Sequence, residues 1–127
     1  MITEDYVSFE TAKLLKEKGY CNESIVFYKE NGELIHYNVP LNNKGISDTL
    51  GVFYEAPTLQ MAMKWLRKEK GIAIIPVLSS ILDNEKFLWD IKIVVAKTGE
   101  KYSQGWIYEK QEDAFNTAIK YCLESLV

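Results

Sequence analysis

Three stretches of the chain place apolar residues at helical spacing. In the first, Ala12, Leu14 and Leu15 follow Ser8, and the run stops at Gly19. Ser8 is a good N-cap, with Val7 and Ala12 set as a hydrophobic staple. Gly19 suits the left-handed position just past a helix end, which puts Tyr20 where a Schellman contact to Leu15 is expected. In the second stretch, Leu59, Ala62, Met63 and Leu66 recur at i, i+3, i+4 and i+7. That helix starts near Ala56-Pro57-Thr58, with Thr58 as cap, and ends at Gly71. The third covers roughly Gln111 to Leu126, with Phe115, Ala118, Ile119, Cys122, Leu123 and Leu126 in one stripe. Glu109, Glu112 and Asp113 lie near its start, where the helix dipole favours acid.

Strands fill the gaps. Ser24 to Glu30 and Glu33 to Val39 flank Asn31-Gly32, a strong short-range hairpin signal. Val52 to Tyr54 is a short strand before the second helix. Ile72 to Leu78 reads as a buried strand with an edge or bulge near Pro76. Phe87 to Ala96 alternates, with Phe87, Trp89, Ile91, Ile93 and Val95 on one face. Thr98-Gly99-Glu100 turns the chain into a last strand around Trp106 to Tyr108. Pro40 to Leu50 and Ser79 to Lys86 are left as the two longest irregular pieces.

The element order repeats. Lys16-Glu17-Lys18-Gly19 and Lys68-Glu69-Lys70-Gly71 end the first two helices. Gly51-Val52-Phe53-Tyr54-Glu55 and Gly105-Trp106-Ile107-Tyr108-Glu109 precede the next ones. The expected fold is α+β: two quasi-repeated helix–hairpin–strand units and a C-terminal helix, with helices packed on an antiparallel-rich layer of strands. The chain is expected to be a single domain over 1–127, with a candidate duplication of about 8–58 and 59–110 and a closing helix at 111–126. Lys-Glu-Lys-Gly also suits a helix end without any duplication, because base favours the C-terminus and Gly the position beyond it.

Composition narrows the class without naming a function. The chain has 127 residues, 47% hydrophobic and 26% charged, an ordinary globular balance. The net charge of −3 gives no overall field toward nucleic acid or anionic lipid. No apolar run approaches the roughly 18 residues of a membrane span. Met1 to Asp5 carries acid where a signal peptide would carry base, which predicts a cytoplasmic protein. Cys21 and Cys122 show no metal or redox spacing.

No phosphate loop, dinucleotide fingerprint, nucleophile elbow or metal-spaced His pair occurs, so no catalytic residue, metal or cofactor is assigned. His36, the one histidine, lies mid-strand on the face opposite Ile35 and Tyr37 and reads as a wet-face residue. A Cys21–His36 enzyme is the weakest of three readings. Asp48, Asp83, Glu85 and Asp90 would pair only if the fold gathered them. Lys16, Lys18, Lys64, Arg67 and Lys68 form a candidate basic patch from the ends of the first two helices. It would serve a nucleic-acid or small-ligand binder, although capping and solubility explain these residues more simply and the acidic total does not favour nucleic acid. If one sheet face is open, Tyr28, His36, Trp89 and Trp106 are the candidate partner surface.

The segments Asp5 to Gly19, Ala56 to Arg67 and Ala118 to Glu124 resemble a family of small uncharacterised proteins from gut Bacteroides-type bacteria and their phages. The likeness touches both ends and the centre. Its motifs are helix caps and stripes, so it implies no activity and transfers no functional residue. The leading expectation is a non-enzymatic protein-interaction module of mobile-element or phage origin. It would bind a protein partner through a sheet face, an edge strand or the Pro40 to Leu50 loop. A homo-oligomer is left open, and no membrane association is expected.

Overall fold

The computed structural model describes residues 5–41, 52–82, 86–103 and 107–127. The fold is α+β. Its elements run α1 (Phe9–Glu17), β1 (Ser24–Lys29), β2 (Leu34–Leu41), β3 (Phe53–Glu55), α2 (Leu59–Trp65), β4 (Ile72–Leu82), β5 (Lys86–Val95), β6 (Lys101–Tyr102) and α3 (Gln111–Tyr121). Both α2 and α3 widen into a closing π-helical turn, at Leu66–Lys70 and Cys122–Leu126. Helix followed by three strands thus occurs twice, and a helix closes the series. The chain divides into two compact units, Met1–Met61 and Ala62–Val127.

In the first unit, local chemistry sets the helix. The Ser8 hydroxyl accepts the Thr11 N–H at 3.3 Å, which caps α1. At its other end, the Tyr20 N–H donates to the Leu15 carbonyl and the Gly19 N–H to that of Lys16. This is the Schellman pattern, and Gly19 carries the positive φ it needs. β1 pairs with β2 through the Asn31-Gly32 turn, Tyr28 opposite Leu34 and Val26 opposite His36. A register shift follows before Ser24 meets Leu41, which carries β2 past the expected end at Val39. β3 then pairs antiparallel with the other side of β1, giving the order β2-β1-β3. α1 packs on β3, with Val7, Ala12, Leu15, Val26, Phe27 and Phe53 buried.

The second unit is a meander in the order β4-β5-β6. The third strand here joins the second hairpin strand, whereas β3 joins the first. The strands therefore form two three-stranded sheets of different order rather than one sheet, although the order of elements repeats. β4 continues to Leu82, through Ser79 and Ser80 where a loop was expected. A register shift between Leu78 and Ser80 absorbs the irregularity, so pairing resumes at Ser80 opposite Leu88. The last strand begins at Lys101, with Lys101 opposite Val94 and Tyr102 opposite Ile93. Farther along, Tyr108 exchanges both backbone hydrogen bonds with Trp89 at 2.7 and 2.8 Å. The Ile91 N–H donates to the Asp90 carboxylate at 2.7 Å. α3 packs across β4 and β5, covering Ile72, Ile74, Ile91 and Ile93 with Phe115, Ile119 and Leu123.

Candidate interaction surface

The β4–β5 hairpin carries one apolar face over its whole length. Residues directly opposite in an antiparallel pair share a face, and the face recurs every second residue. Ile74 faces Ile93, Pro76 faces Ile91, Leu78 faces Trp89 and Ile81 faces Phe87. None of these eight is charged. The inner part of the face lies under α3, with Ile91 and Ile93 each 1% exposed. The outer part does not: Leu78 is 46%, Ile81 53% and Phe87 54% exposed. Pro76 is also exposed and Trp89 half-buried. Phe87 and Trp89 lie against each other, with ring centroids 6.1 Å apart. The opposite face is mixed, for Ile75 and Val77 there meet Lys92 and Asp90. Ser103 donates to Asp90 at 3.4 Å. Near the tip Lys86 and Glu109 approach to 3.8 Å, an exposed pair that contributes little to stability.

Of the four aromatic candidates, Trp89 belongs to this face. Tyr28 is half-buried in the first unit. Its hydroxyl donates to the Val7 carbonyl at 2.6 Å and its ring lies 5.5 Å from Phe9, while burial raises its pKa. His36 is exposed, and its ring meets the edge of Tyr6 at 6.0 Å. Trp106 lies outside the described residues, as do Asp48, Asp83, Glu85 and most of Pro40 to Leu50.

The basic candidates divide between the units. Lys16 is turned inward: its ammonium donates to the Phe53 carbonyl at 3.0 Å and sits 5.0 Å from the Tyr54 ring centre. Lys18 is half-buried at the end of α1. Lys64, Arg67 and Lys68 are exposed on α2 and its closing turn.

The residue that pattern reading missed is Glu55. It is fully buried at the end of β3. Its carboxylate accepts the Asn22 N–H at 3.0 and 3.2 Å, the Ser24 N–H at 3.0 Å and the Ser24 hydroxyl at 3.1 Å. Between those donors Glu23 has a φ of 43°, a left-handed conformation for a residue that is not glycine. Glu55 thus fixes the connection from α1 to β1. Period two gave the signal: Phe53 points inward, so Glu55 must as well. Tyr20 lies in the same region. Burial raises its pKa, the Asn22 side chain opposes that, and the Glu55 charge adds to it.

Cys21, in that connection, is half-buried, while Cys122, which opens the closing turn of α3, is fully buried. Among the described residues no group of three or more His, Cys, Asp or Glu could hold a metal ion. No helix among them is long and apolar enough to cross a membrane. No protein-family model, no curated protein and no solved structure matches this chain.

Proposed function

We propose that this chain is a non-enzymatic protein-interaction module, of mobile-element or phage origin, whose docking element is the outer half of the β4–β5 hairpin. One observation carries the reading. An uncharged apolar face continues past the helix that covers its inner half, leaving Leu78, Ile81 and Phe87 about half exposed. Burying such a face against another protein is favourable by roughly 25 cal/mol per Å² of apolar surface removed from water. Scattered single apolar residues need no explanation, but contiguous ones on a regular scaffold mark contact surfaces. Phe87 and Trp89 are of the aromatic type that anchors such contacts.

A photo-crosslinking residue placed at Phe87 tests the reading in cells. The expected result is a discrete protein adduct from Phe87 and none from the same residue placed at Lys97, an exposed position beyond the end of β5. Identical adduct patterns from both positions, or none from either, would refute it.

A further inference from the structure

Resting on that reading, we infer that the occupant of the hairpin face is a second copy of this chain, docked face to face about a two-fold axis. Two features support a self-partner, and a third favours the face over the edge. The first is charge. The outer face of Pro76, Leu78, Ile81, Phe87 and Trp89 holds no ionisable side chain. An identical face therefore brings neither repulsion nor an unmatched buried charge. A two-fold contact is necessarily self-complementary in this sense.

The second is area. A fully exposed large apolar side chain offers on the order of 150–250 Å². At the exposures observed, the outer face leaves on the order of 400 Å² per chain. Two such faces in contact remove about 800 Å². With the polar rim that makes up roughly a third of a homodimer interface, the total reaches about 1,200 Å². That is the lower end of the range for specific interfaces.

The third is the blunted edge. β4 is the outer strand of its sheet, and Ile72–Leu82 contains no charge. Such an edge invites strand-to-strand addition. Trp89 directs both backbone groups toward Tyr108, and Ile91, two residues on, has the same orientation. Pro76, opposite Ile91, therefore places its ring nitrogen on the outer edge, where another strand would seek an N–H. Edge pairing is interrupted at its centre, while the face stays available. Two hairpin faces then stack as layers roughly 10 Å apart.

Sedimentation velocity of the whole chain, from about 1 to about 100 µM, brackets a micromolar dissociation constant. The weight-average mass is expected to climb from the 14.7 kDa of the monomer toward twice that value. An Ile81→Glu/Phe87→Glu double variant should remain at the monomer mass with an unchanged far-ultraviolet dichroism spectrum. Ile25→Glu, which alters an equally exposed apolar residue of β1, should self-associate as the parent does. A parent chain that stays monomeric to the highest concentration overturns the inference, as does a double variant that still dimerises or an Ile25→Glu chain that does not. If the parent is monomeric but Phe87 still crosslinks to a different protein in cells, the self-partner falls and the interaction module stands. If neither is seen, both fall.

Discussion

A carboxylate with no exposed surface must be matched by donors, and Glu55 is matched by the backbone of Asn22 and Ser24. Glu55→Gln removes the charge from these bonds at nearly constant shape. It should lower stability by about 1.5–3 kcal/mol in urea unfolding, the range for hydrogen bonds to a charged group. Glu109→Gln, the exposed counterpart in the second repeat motif, should change stability by less than about 0.5 kcal/mol. Cys122 offers a pH test of the opposite kind. Burial pushes its thiol from 9.0 up to about 12. The folded chain therefore holds that proton where the unfolded chain has lost it. Its stabilising contribution is complete below about pH 9 and disappears as pH rises toward about 12. The urea midpoint of the parent should fall more steeply with pH across that window than that of Cys122→Ala.

At the scale of elements, the structure rewards patterns whose cause is local. The Ser8 and Thr58 caps, the Gly19 helix end and the Asn31-Gly32 hairpin were legible because each needs only a few adjacent residues. The extent of β4 was not legible, since Ser79 and Ser80 read as a loop until their partner strand is known. Nor was the exposure of Phe87. Its alternation with Trp89, Ile91 and Ile93 fixes which face it shares but not where the covering helix stops. Two turns separate backbone strain from packing. Gly99 has a φ of 72° with open space where a Cβ would stand, so Gly99→Ala should cost about 1 kcal/mol from the positive φ alone. Gly32 has a φ of 89°, and a Cβ there would lie 3.3 Å from the Phe9 ring. Gly32→Ala should therefore be the more damaging of the two in thermal unfolding.

For the molecule as a whole, a self-partner couples stability to concentration. Raising the parent chain tenfold should raise its melting temperature, while the Ile81→Glu/Phe87→Glu variant should melt at a fixed temperature. The repeat in the sequence predicted the order of elements correctly because each helix end and turn is encoded in place. It did not predict that the third strand would choose β1 in one unit and β5 in the other, since both strands of a hairpin offer a free side and the choice between them rests on contacts distant in sequence. The Glu55 tie also carries a consequence in time. Its donors lie 31 and 33 residues earlier in the chain. As the polypeptide emerges residue by residue during synthesis, α1 and the β1–β2 hairpin can form early. The junction between them cannot close around its carboxylate until position 55 has cleared the exit tunnel, and until then the left-handed turn at Glu23 has nothing to hold it.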